Sequence, residues 1–220
     1  IDYIYLDTDE RRRFAQDSHE YLIEQLQYSL PQTVTSAQAR LDLTLNHPIK
    51  ELVWVFQDAR RLDCSLPAGR PEGFIFSGAT TYTQPFAYDD IVDRCRIQLN
   101  GQDRFDERYG DYFWKVQPFQ HHTGGAYAPT RNAGTGGGVI TPGTTNPINV
   151  YSFALQPEEH QPSGSCNFSR IDTATLVFDS IKAGGAAYPT KSTPFVFRLY
   201  AVNYNVFRVM SGMGGLAYSN

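Results

Sequence analysis

SAQARLDLTL, residues Ser36 to Leu45, decides how this chain is read. Ala39, Leu41, Leu43 and Leu45 alternate with Gln38, Arg40, Asp42 and Thr44. A period of two sets one group against a core and the other in water, the mark of a half-buried β-strand. Asn46-His47-Pro48 then signals a turn. Beyond it Leu52 to Phe56, LVWVF, is apolar throughout and predicts a strand covered on both faces. The same texture recurs further along. Ile91, Cys95, Ile97 and Leu99 share one face, with Arg94, Arg96 and Gln98 opposite, and Asp93 falls on the apolar side, where it needs a partner. Asn100-Gly101 ends that strand. The longest run is Phe195 to Met210. At about 3.3 Å per residue it spans roughly 50 Å, so it must curve or change neighbours. Asn203-Tyr204-Asn205 predicts a bulge or bend within it.

The first thirty residues are ambiguous. Asp7 and Glu10 have capping-box spacing, which starts a helix near Thr8. Leu22, Ile23 and Leu26 could continue it, yet Tyr21 to Tyr28 also fits a strand. A second helix is predicted within residues 103–112, with Asp103 as its cap. Two long connections stand out: 58–89, rich in Pro, Gly, Thr and aromatics, and 123–147, glycine-rich and almost free of charge. Spacing predicts strands at 2–7, 36–45, 50–57, 90–99, 148–155, 173–181 and 194–210, with 19–28 as an eighth if it is not helix, which spacing alone slightly favours there. Eight strands with long, uneven connections predict an all-β fold, an eight-stranded jelly-roll sandwich with short helices in its connecting loops, as a single domain over 1–220.

Composition bounds the function. The chain has 220 residues, 19% charged and 14% aromatic, with a net charge of −4. A chain of this length buries roughly 70% of its unfolded surface and needs no disulfide or metal to fold. The acidic balance offers no basic field for nucleic acid. No apolar run reaches the length of a transmembrane helix. Cys64, Cys95 and Cys166 have no CxxC spacing and read as buried free thiols. The chain opens on Ile1 and a strand-like segment, which reads as the second half of a longer polypeptide.

The chemical motifs are weak. His121-His122 is the obvious metal suspect, but adjacent residues on an extended chain point opposite ways, and no HExxH or His/Cys cluster accompanies them. Glu158-Glu159-His160, followed by Gln161, lacks a partner at catalytic spacing and reads as a hydrogen-bonded loop or subunit contact. Gly134 to Gly138 has no lysine to complete a phosphate loop. Ser163-Gly164-Ser165 lacks the context of a hydrolase elbow. Asn167-Phe168-Ser169 is a formal glycosylation sequon. Arg11-Arg12-Arg13 reads either as a solvated helix face or as guanidiniums that pair with carboxylates of a neighbouring subunit. No enzymatic activity, cofactor or metal is expected.

Six blocks in order carry a resemblance: YIYLDTDERRRFAQ (Tyr3 to Gln16), HEYLIEQLQ (His19 to Gln27), NHPIKELVWVFQ (Asn46 to Gln57), LNGQDRFDERYGDYFWKVQPFQHHT (Leu99 to Thr123), VYSFALQPEEHQPSGSCNFSR (Val150 to Arg170) and YAVNYNVFRVMSGMGGLAYSN (Tyr200 to Asn220). Together they resemble the C-terminal part of the major capsid protein of nucleocytoplasmic large DNA viruses. The resemblance implies the second half of a double jelly roll, with a short helix and then a strand at its start. It implies homotrimers of pseudo-hexagonal outline that tile an icosahedral shell beside neighbouring trimers, minor capsid proteins and penton proteins. It implies no direct nucleic-acid contact, no membrane insertion, a place in the virion and assembly in the host cytoplasm. The expected first jelly roll is absent from this chain. Contact candidates are Arg11, Arg12, Arg13, Glu158, Glu159, His160 and Gln161. A poxvirus-like assembly scaffold of the same fold is one alternative. Another is a carbohydrate-binding jelly roll using Tyr82, Tyr88 and Tyr127; a cupin-like enzyme would need clustered His and Glu ligands.

Overall fold

The computed structural model describes residues 1–62, 76, 91–123, 148–183, 186–187, 189–191 and 194–219. Cys64, the three loop tyrosines, Gly134 to Gly138 and most of the two long connections lie outside these residues. In chain order the elements are helix α1 (Thr8–Gln16), β1 (His19–Tyr28), β2 (Gln32–Val34), β3 (Ala39–Asp42), β4 (Pro48–Asp58), β5 (Val92–Leu99), β6 (Gln102–Asp103) and β7 (Arg108–Tyr109). A π-helical turn (Tyr112–Val116) then leads into helix α2 (Gln117–His121). It is followed by β8 (Asn149–Ser152), β9 (Cys166–Asn167), β10 (Ala174–Ala183), β11 (Ala186–Ala187), β12 (Phe195–Met210) and β13 (Met213–Leu216).

The strands fall into two antiparallel sheets. One runs β1-β12-β4-β8, with β2 and β13 also paired to β12 and β9 to β4; the other runs β11-β10-β5-β6, with β3 on β10 and β7 on β5. The chain thus passes from β1–β2 across to β3, back to β4, across to β5, back to β8, across to β10 and back to β12. This wrapping of antiparallel strands around a shared core is a jelly roll. Period-two alternation builds the interior: Phe197, Leu199 and Ala201 on β12 pair with Phe56, Trp54 and Leu52 on β4, and all six are at most 1% exposed. Phe178 of β10 closes the sandwich, its ring 5.0 Å from Phe56 edge-on and 5.9 Å from Phe197. Each such buried side chain stabilises by about 1.5–3 kcal/mol relative to exposure.

Leu41, Leu43 and Leu45 are buried as their alternation predicts, although pairing stops at Asp42, after which the Leu43 N–H donates to the Ala174 carbonyl. Both β1 and the short helix before it are present. Asp93 finds its partner in Lys182, at 2.7 Å. Where β5 meets β10 the register slips around Asp179 and Asp93; Asp179 is held by Arg96 at 2.9 Å.

Three expectations are corrected. Residues 2–7 form no strand: Ile1, Tyr3, Ile4 and Tyr5 are 76–108% exposed, with neither partner strand nor core beneath them. Residues 103–112 hold no helix nucleated by Asp103. Asn100 and Gly101 both take positive φ (52° and 77°), and this tight turn folds the chain back so that Leu99 pairs with Gln102 and Gln98 with Asp103. The Asp103 carboxylate accepts from Gln98 Nε2 at 2.7 Å instead of capping a helix. Finally, Asn203-Tyr204-Asn205 continues β12 unbroken. The irregularity lies opposite: Val202 pairs with Glu51 and Asn203 with Ile49, so Lys50 is the extra residue.

Candidate functional site

The Lys50 bulge organises the most distinctive surface. Its carbonyl accepts from two successive N–H groups, Phe153 at 2.8 Å and Ala154 at 3.2 Å, which anchors the loop that leaves β8. Its side chain is fully buried. The ammonium lies 2.5 Å from Glu24 Oε1 on β1, donates to the Glu159 carbonyl at 3.2 Å, and sits 5.2 Å from the centre of the Tyr204 ring. A buried cation is tolerable only with such partners.

The same loop closes on itself. Gln156 N–H donates to Ser163 Oγ at 2.9 Å, and that hydroxyl donates to the Gln156 carbonyl at 3.2 Å. Gly164, at φ +143°, passes so close that a Cβ there would stand 2.8 Å from the Phe153 carbonyl oxygen. From the other side α2 docks on β8. Buried Gln117 accepts from Ser152 N–H at 3.0 Å and donates to the Tyr112 hydroxyl at 2.8 Å. At the end of α2 the two histidines diverge. His121 Nδ1 lies 3.0 Å from the Leu155 carbonyl, whereas His122 stands between two carboxylates, Nε2 3.2 Å from Glu51 and Nδ1 3.1 Å from Glu158. Glu158 also accepts from the Thr123 N–H at 3.0 Å and from its hydroxyl.

The suspects therefore separate. Glu158 is committed inside the chain, and Glu159 contributes its backbone carbonyl to Lys50. The side chains of Glu159, His160 and Gln161 face outward, with His160 74% exposed and 4.0 Å from Glu24. Arg11, Arg12 and Arg13 ride on α1, which buries no residue and carries the expected capping box through Asp7 and Glu10. Arg12 reaches Asp9 at 3.5 Å and Arg13 reaches Asp17 at 3.2 Å. The sequon Asn167 uses its own side-chain oxygen to accept from Ser169 N–H at 3.1 Å, and the Ser169 hydroxyl accepts from His47 N–H at 2.8 Å. Cys95 is buried and Cys166 partly so; both are free thiols, and burial raises both pKa values, that of Cys95 strongly. Among the described residues, no group of three or more His, Cys, Asp or Glu is placed to hold a metal ion, and no helix is long and apolar enough to cross a membrane.

Sequence reasoning missed Lys50 and the grouping of His122 with Glu51 and Glu158. Lys50 precedes the apolar run Leu52 to Phe56 with no local sign of the bulge that buries it. The other three come from separate elements, which no spacing rule connects.

Around these loops the surface is apolar as well as polar. Phe14, Leu26, Leu30, Phe119 and Leu155 are 56–83% exposed. On the outer face of the first sheet an open groove of about 460 Å³ is lined by Val53, Val55, Ile148, Arg198 and Tyr200 among others. Fold and surface thus define a jelly-roll protein whose distinctive side chains stitch loops onto sheets and face outward.

The model of the large eukaryotic DNA virus major capsid protein family matches residues 10–215, and the chain belongs to that family. The chain is 47% identical to the major capsid protein of Pyramimonas orientalis virus over 100% of its own length and 48% of the relative's. It is 42% identical to that of Paramecium bursaria Chlorella virus 1 over 100% of itself and 53% of the relative. Among solved structures, the quasi-atomic PBCV-1 virus capsid aligns with TM-score 0.67 and 39% identity, covering 99% of this chain and 56% of the other. The Faustovirus major capsid protein shares the fold at 13% identity and TM-score 0.63, over 85% of this chain and 33% of its own. The chain thus spans about half the length of these curated relatives.

Proposed function

We propose that this chain is the C-terminal jelly roll of a major capsid protein, a building brick of the icosahedral shell of a large DNA virus. The observation that carries the reading is the family match over residues 10–215, supported by 47% identity to a major capsid protein along the whole chain. In this reading the full polypeptide carries a second jelly roll and forms homotrimers of pseudo-hexagonal outline. These pack beside neighbouring trimers, minor capsid proteins and penton proteins in the virion, after assembly in the host cytoplasm. The scaffold and carbohydrate-binding alternatives are not favoured by any comparison.

A closed cyclic trimer needs two different, matching patches on each copy. The arm of residues 1–17 supplies one candidate: it is exposed throughout, and Arg11, Arg12 and Arg13 project from its helix. Glu159, His160 and Gln161 supply another. A variant with Arg11, Arg12 and Arg13 all changed to Ala is expected to form trimers that dissociate at higher protein concentration than the parent's, as read by sedimentation. Trimers of unchanged stability would remove the arginines from the contact.

A further inference from the structure

His122 is flanked on both ring nitrogens by carboxylates, and the three groups come from three different segments: Glu51 from β4, His122 from the end of α2, and Glu158 from the loop after β8. A neutral imidazole carries one N–H and one lone pair, so it can donate to only one of the two carboxylates and turns its lone pair toward the other. The geometry therefore suits the doubly protonated ring. Glu51 Oε2 and His122 Nε2 are buried and hydrogen-bond to no other group among the described residues, so each depends on the other's charge. Of the remaining neighbours, His121 turns to the Leu155 carbonyl and Lys50 is held by Glu24, while Thr123 shares the Glu158 carboxylate with His122, its N–H donating to both oxygens and its hydroxyl to Oε2.

We propose that Glu51, His122 and Glu158 form a proton-gated clasp. It holds the loop of residues 155–163 against β4 while the imidazole is charged and loosens when the ring loses its proton. The Glu51 hydrogen bond and charge raise the His122 pKa above the ordinary imidazole value, and burial opposes them in part. The Thr123 hydroxyl and N–H, followed by His122, lower that of Glu158 below the ordinary carboxyl value. The His122 contribution is fully present below the imidazole's unfolded pKa and is lost as pH rises through the raised folded one. The Glu158 contribution is present above the unfolded carboxyl pKa and is lost only as pH falls through the lowered one. The clasp is thus closed from mild acid to near neutrality and opens on the alkaline side. Glu159, His160 and Gln161 lie in the clasped loop, so their presentation follows the proton. The inference rests on the chain's own geometry and stands or falls independently of capsid assembly.

The test is NMR on the 220-residue chain from about pH 5 to about pH 9, across the range in which histidine titrates. It reads the His122 ring proton shift together with amide exchange at Thr123 and Leu155, corrected for intrinsic rate. The expected result is a His122 midpoint above about 6.5. Protection at both amides should fall roughly tenfold for each unit of that rise as pH passes the midpoint. His122→Gln should show low protection at every pH, and Glu51→Gln should lower the His122 midpoint. A midpoint at or below the ordinary value, protection that ignores the midpoint, or the same step persisting in His122→Gln would overturn the clasp.

Discussion

Lys50 and Gly164 show how single residues shape this surface. Lys50 is fully buried, but its partner Glu24 is 34% exposed and can regain water if the ammonium is lost. Lys50→Met, which keeps the apolar stem, is therefore expected to cost only about 1–2 kcal/mol, while Lys50→Ala, which also leaves a cavity, costs about 3 kcal/mol. Urea denaturation of both variants checks the difference; equal losses would mean that stem packing matters little. Gly164→Ala meets both an unfavourable positive φ and the Phe153 carbonyl at 2.8 Å. It should destabilise by about 1–3 kcal/mol and raise proteolysis within the 155–163 loop. Neither residue announces itself in sequence. Lys50 reads as one charge before an apolar run, and Gly164 as one glycine among serines. What singles them out is a bulge between strands more than a hundred residues apart and a close approach of one loop's own backbone, and periodicity contains neither.

At the scale of elements, α1 and the core strands should respond oppositely. The Asp7 carboxylate accepts from Thr8 N–H at 2.7 Å, and the helix it starts buries nothing. Asp7→Ala costs the helix about 1 kcal/mol locally. The global unfolding midpoint should barely move, because α1 is not packed on the cooperative unit; backbone chemical shifts over residues 8–16 report the local loss. Phe178→Ala removes the ring that joins the two sheets and should cost about 3–5 kcal/mol in the global transition. The principal strands were legible because alternation survives any tertiary context that covers one face. Capping-box spacing made α1 legible too. Residues 2–7 misled because Tyr3, Ile4 and Tyr5 look like a strand wherever they lie, and only a partner strand could make them one. The ribbon at 102–109 was hidden because Asn100-Gly101 was read as an end, whereas its two positive φ values make it a reversal.

For the whole molecule, the outward-facing features agree with a brick that meets its neighbours through broad, mixed surfaces: an exposed arm, an apolar groove on the first sheet, and loops stitched down so that they present fixed side chains. The six-block resemblance and the family match point the same way, and the wrapped two-sheet topology is shared with the PBCV-1 capsid and the Faustovirus major capsid protein. Residue spacing, with 19–28 taken as a strand on the resemblance, led to a jelly roll; the ordered blocks, which no physical pattern demands, led to the capsid. The most direct test of this account is single-particle electron microscopy of the full-length polypeptide that carries this chain. The account predicts trimers of hexagonal outline in which this jelly roll occupies three of six lobes. Stable monomers or dimers under conditions that keep the fold intact would contradict it.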